Sequence, residues 1–100
     1  MNLEVIRWRS AAAPAEDALR ARLESEGFSV FRWRDAPDAA YSPHSHDHDE
    51  SLWIVEGGIT FGIGRQLYRL EAGDRLMLPR NTVHTATAGS AGATYLIGEK

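Results

Sequence analysis

"HSHDHDESLWIVEG", residues 44–57, sets three of the chain's four histidines against a run rich in aromatic and β-branched residues. Such side chains fit a pleated, half-buried surface, so "SLWIVE" (51–56) reads as a strand. Working outward, "FSVFRWR" (28–34) precedes it, and "ITFGI" (59–63), "QLYRL" (66–70), "RLMLP" (75–79), "TVHTATA" (82–88) and "ATYLI" (93–97) follow. Turn signals divide these runs: Gly57-Gly58, Gly64-Arg65, Ala72-Gly73-Asp74, Pro79-Arg80-Asn81 and the stretch Gly89 to Gly92. Short strands at this spacing predict a sandwich or small barrel of antiparallel hairpins.

The N-terminal part differs. "LEVIRW" (3–8) suits a short strand, and "PAEDALRARLESE" (14–26) is the one helical pattern. Pro14 suits a first helical turn, Glu16 and Asp17 its positive end, and Gly27 its stop. Glu16/Arg20, Arg20/Glu24 and Arg22/Glu26 stand at i,i+4 spacing. The apolar stripe is narrow, with only Ala15, Leu19 and Leu23, so the helix is expected to lie outside the β-structure.

One hundred residues fit one domain, and the expected organisation is a single domain over 1–100. Within it, 1–36 is a strand/helix/strand leader and 40–97 holds the barrel motifs. Net charge is −3, with 25% charged and 43% hydrophobic residues, an ordinary globular balance. The absence of a basic stripe argues against nucleic acid as a partner. With no cysteine, thiolate metal sites and cysteine nucleophiles are excluded, and a reducing compartment is favoured. No run is long and apolar enough for a signal peptide or a membrane span, so the expected location is cytoplasmic.

The histidines carry the chemistry. On a strand, His44 and His46 would share one face. Glu50 has the same parity. If 47–49 form the turn between two adjacent strands, Glu50 returns beside the histidines, and His48 sits in that turn and points elsewhere. Two histidines and a carboxylate suit iron(II), and a third histidine would complete a four-ligand site with open positions. His84 is the one histidine left to supply it. Asp47 and Asp49 read as solvated turn residues, either of which would serve as acceptor for a ligand imidazole.

The stretch 44–57 resembles the first motif of the cupin superfamily. His44 and His46 are followed by Glu50 and, after six residues, Gly57. "GDRLMLPRNTVH" (73–84) is similar to the second motif, with Gly73, Pro79 and His84 in place. It departs at Asn81, where the family usually has glycine, and at Ala88, where it often has asparagine. The leader is also similar to that of small bacterial single-domain cupins. The resemblance implies a mostly β, jelly-roll barrel and a divalent metal held by His44, His46, Glu50 and His84. The candidate ions are Fe(II), Mn(II), Ni(II) and Zn(II).

Parity extends the reading to the pocket. Leu52 and Ile54 face inward with Glu50, and Ile59, Phe61 and Ile63 share a core face. Ala86 and Ala88 share the side of His84 and leave space there. Tyr41 and Met77 are candidate cavity neighbours, and Arg69, Arg75 and Arg80 are candidates for holding an acidic substrate. Trp53 and Val55 face out, under the N-terminal segment or at a subunit interface, which suggests a homodimer. The expected function is a mononuclear metal enzyme acting on a small molecule, a dioxygenase or isomerase. The alternative is a non-enzymatic, metal-dependent binding or sensor module.

Overall fold

The computed structural model describes residues 1–100. Seven strands and one helix run in the order β1 (Glu4–Ile6), α1 (Glu16–Ser25), β2 (Ser29–Asp35), β3 (Ala40–His44), β4 (Glu50–Ile63), β5 (Gln66–Glu71), β6 (Arg75–Leu78) and β7 (His84–Glu99). All strand pairs are antiparallel, and their ladder runs β1-β6-β4-β7-β2, with β3 also on β7 and β5 also on β4.

The long strands β4 and β7 form the spine, pairing from Glu50↔Glu99 to Gly62↔Thr85. Each is shared by two half-sheets. β6 and β2 flank one end of this spine, and β5 and β3 flank the other. The halves turn their apolar faces to one another, and one core joins them. Leu52, Ile54, Leu76 and Tyr95 from the first half pack with Ile59, Phe61, Leu70 and Ala86 from the second. This is the mostly β jelly-roll expected from the sequence.

The bend lies where the sequence reading put two turns. Gly57-Gly58 and the Gly89–Gly92 stretch do not end strands: both lie inside β4 and β7, which continue through them. The pairing shifts register between Ile54 and Ile59, so the spine is bulged there. Gly57 and Gly92 both have positive φ, +77° and +76°, and a Cβ on Gly57 would stand 2.2 Å from the Gly92 carbonyl oxygen. The glycines let two backbones cross at a distance no side chain permits.

The helix covers the outer face of the first half-sheet. Leu19 and Leu23 pack on Phe28 and Leu96, with Trp53 and Val55 partly buried against the same cluster. Trp53 and Val55 therefore face the N-terminal segment, and the apolar surface that suggested a dimer is already covered within one chain. Met77 joins this cluster too, on the face away from the cavity. Two details of the helix differ from expectation. It begins at Glu16 with Ala15 as cap residue, so Pro14 precedes the cap. Glu16 pairs with Arg32 on β2 at 3.0 Å, while Arg22–Glu26 forms as spaced, at 2.7 Å.

β1 is held through Asp74. Its carboxylate accepts the backbone N–H groups of Trp8 and Glu71, both at 2.9 Å, and a bond from Arg7 at 3.0 Å. Burial alone would raise the Asp74 pKa, yet the two amides and the Arg7 guanidinium hold it below the ordinary value. Its stabilisation is therefore present above the unfolded-state pKa of about 4 and is lost as pH falls through the lowered folded-state value. Asp74→Ala is expected to cost about 1–3 kcal/mol near neutral pH, with wild type and variant converging in acid. Urea unfolding across that pH range measures both.

Candidate metal centre

The centre is assembled from three strands. His44 ends β3 and is the register partner of His84, which opens β7. Their ring centroids are 4.3 Å apart, and His46, just beyond β3, lies 5.1 Å from the first and 5.4 Å from the second. Glu50 opens β4, is 6% exposed, and brings Oε1 to 3.8 Å from His46 Nε2. Glu50 and His84 stand toward opposite ends of the β4·β7 spine. The glycine bend, by folding one half-sheet over the other, brings them to one place.

His44, His46 and His84 thus converge and Glu50 reaches His46, but the path between them differs from the expected one. β3 pairs with β7 and not with β4, so 45–49 is no hairpin turn between adjacent strands. It is a crossing between the two half-sheets, held at three points. Asn81 N–H donates to the His46 carbonyl at 2.7 Å, and Asp49 and Lys100 exchange backbone bonds at 3.0 and 3.3 Å. The Asp49 carboxylate accepts Arg80 N–H at 2.9 Å. Asn81 has φ +62°, the left-handed conformation glycine would take, so its substitution in the motif keeps the turn.

His48 does not point away. Its Nε2 lies 3.0 Å from Glu50 Oε2 and 3.4 Å from Glu99 Oε1. The anchored crossing leaves its ring over the carboxylates, and the Glu50 hydrogen bond raises its pKa. Parity could not see this, because 45–49 is not strand.

The imidazoles of His44 and His84 are oriented by carbonyls rather than by Asp47 or Asp49. His44 Nδ1 is 2.6 Å from the Ser42 oxygen, and His84 Nδ1 is 2.9 Å from that of Thr82. A carbonyl can only accept, so each Nδ1 carries a proton, and in a neutral ring that leaves the lone pair on Nε2. Burial lowers the pKa of His84; the Thr82 carbonyl opposes this, and the neighbouring His44 and His46 reinforce it. A neutral ring with Nδ1–H tied to a carbonyl is the state in which histidine ligates metal. The spacing agrees. The ligand atoms of His44, His46 and His84 lie within 4.8 Å of one another, as do those of His46, His48 and Glu50. Opposite ligands on one ion with bonds of about 2.1 Å stand about 4.2 Å apart, so either trio has the spacing to hold a divalent cation.

Beside the histidines lies a cavity of about 280 Å³. Leu52, Phe61, Ala86 and Ile97 form its apolar wall, and Tyr41 borders it as expected. Ala86 lines it while Ala88 is buried. Of the opposite wall, only Tyr41 was read from the sequence. Trp33, Tyr41 and Tyr95 all line the cavity and all converge on Asp35, which is 4% exposed. Tyr95 donates to Oδ2 at 2.8 Å, and Tyr41 and the Trp33 indole donate to Oδ1. Tyr95 is in line with Ala93 and Ile97 and out of step with His84, because the bulge shifts the parity of β7. The candidate arginines lie elsewhere. Arg75 stacks 4.6 Å over Trp53 and pairs with Glu26, Arg80 pairs with Asp49, and Arg69 lies over Gly58 and Gly89.

Residues 31–97 match the family described as the Cupin domain. The chain belongs to the cupin family. This match spans both histidine motifs and the tyrosine wall. No curated protein matches the cupin chain closely enough to be named. Among solved structures it is similar to KdgF from Halomonas sp., at 24% identity and TM-score 0.62, with 73% of this chain and 70% of that one covered. It is also similar to the DMSP lyase DddQ from Ruegeria pomeroyi, at 20% identity and TM-score 0.68, covering 73% of this cupin and 38% of the lyase. The polyketide cyclase RemF from Streptomyces resistomycificus superposes at TM-score 0.64 with 17% identity, covering 76% of this chain and 58% of that one. At these identities the likeness is one of fold. No helix of the cupin is long and apolar enough to cross a membrane.

Proposed function

We propose that this cupin, acting as one domain over 1–100, holds a single divalent metal through His44, His46, Glu50 and His84 and presents it to a small molecule in the adjoining cavity. The observation carrying this reading is the pair of carbonyl-tethered imidazoles, His44 and His84, whose free Nε2 atoms converge with His46. His48 would brace Glu50 from behind. A bound ion would supply Lewis-acid polarisation of a substrate oxygen or, as Fe(II), O₂ chemistry. The chain's own part is to exclude water with Leu52, Phe61 and Ile97 and to orient the ligand on the tyrosine wall. Either a dioxygenase or an isomerase fits, with Fe(II), Mn(II), Ni(II) or Zn(II) as the ion.

A non-enzymatic binding or sensor module is the second reading. It is favoured by the tyrosines of the cavity, whose protons are committed to Asp35 and not free for proton transfer. Turnover of any member of a panel of diketones, catechols, thiol amino acids and sugars, with O₂ uptake followed, would remove that reading. For self-association, the surface to consider moves from Trp53 and Val55 to β2 at the end of the ladder, where Phe31 and Trp33 are 52% and 51% exposed.

Metal analysis of protein purified without a histidine tag tests the proposal directly. Metal at ten times its Kd is expected to stabilise the fold by about 1.4 kcal/mol, and a chelator to reverse the gain. Thermal unfolding with and without chelator reads this; an unchanged midpoint would count against a resident ion.

A further inference from the structure

We infer that the cavity selects neutral or cationic ligands bearing hydroxyl or amino groups, and rejects carboxylates and other anions. This inference rests on the proposed metal centre for the ligand's second anchor, but it comes from the opposite wall.

The wall offers acceptors only. A phenol has one proton, and those of Tyr41 and Tyr95 both go to the Asp35 carboxylate, one on each oxygen. The Trp33 N–H is spent on the same oxygen as Tyr41, at 2.9 Å, and also reaches the Tyr41 oxygen at 3.2 Å. Tyrosine and tryptophan are ordinarily the donors of a binding site. Here the buried carboxylate accepts their hydrogen bonds, and what the phenols have left to offer is lone pairs. The pKa of each tyrosine is raised, so both stay protonated and hold this arrangement at any physiological pH.

Charge points the same way. Glu50 and Glu99 line the cavity, Asp35 lies directly behind it, and no lysine or arginine lines it. A divalent ion alone would not balance these three carboxylates. No positive charge is left over for an anionic substrate, and a like charge placed there is strongly disfavoured. The faces of Trp33 and Phe61 add apolar surface, so a ring or carbon skeleton carrying donors is the complementary shape.

A matched set with one chelating head tests this: catechol, 3,4-dihydroxybenzylamine and 3,4-dihydroxybenzoate, titrated calorimetrically into zinc-loaded protein. The amine is expected to bind roughly tenfold or more tighter than the benzoate, with catechol between them. Asp35→Asn should shrink that ratio to within about threefold, since it removes the charge and frees a phenol proton to face the cavity. Tyr41→Phe, at a 38% exposed position that folding tolerates, should weaken the amine and catechol while leaving zinc content unchanged. Benzoate binding as tightly as the amine, or no member binding to zinc-filled protein, overturns the inference. Element analysis of the same samples separates the two claims. If zinc is not retained, the metal reading fails, and the same ratio measured on metal-free protein still decides the charge selection.

Discussion

His84→Ala is expected to abolish metal binding at the proposed centre. His84 is 4% exposed and its ring is held by the Nδ1–H bond to the Thr82 carbonyl, so it presents one fixed nitrogen to His44 and His46. Removing one of four ligands should lower affinity by more than the roughly 10–100-fold that loss of a supporting partner costs. His48→Ala should stay within that smaller range and fill at saturating metal. Metal titration of both variants, followed by element analysis, gives the answer. The opposite result, an empty His48→Ala and a filled His84→Ala, would reassign the site to His46, His48 and Glu50, the other trio whose ligand atoms converge.

Gly57→Ala is expected to be the most damaging single methyl in the chain. The new Cβ would stand 2.2 Å from the Gly92 oxygen at φ +77°. Left-handed backbone costs a residue with a Cβ about 1–2 kcal/mol, and overpacking adds about 1–3 kcal/mol. For a domain this size the sum corresponds to a drop in Tm of roughly 10–30 °C. Metal content should fall with it, because the strands move apart where they bend and Glu50 no longer meets His84. Calorimetry and element analysis on one preparation test both; a variant as stable as wild type would mean the crossing is looser than its geometry.

The candidate ligands could be picked out because they cluster locally. His44, His46 and Glu50 lie within seven positions, and only one other histidine was left to join them. Alternation placed Leu52, Ile54, Ile59 and Phe61 correctly within each half of β4. It failed across the halves. Gly57-Gly58 reads as a turn in any local window, and only the close passage of β7 makes it a bulge in one continuous strand. The same shift hid Tyr95. Asp35 and Trp33 were hidden differently: nothing in "RWRD" indicates that its carboxylate will be met by a tyrosine 60 residues away. His48 was misplaced because its position depends on anchors at Asn81 and Lys100, again far along the chain.

The β4·β7 spine also makes the proposed metal centre a clock for folding. Its partners are separated by 23 residues (Gly62↔Thr85) to 49 residues (Glu50↔Glu99) in sequence, so every contact along it is long-range. Contacts of this range form slowly and late, on the millisecond-to-second scale typical of all-β topologies. A metal ion added during refolding should therefore be captured only as the two half-sheets close, and its uptake would time that closing step from inside the protein.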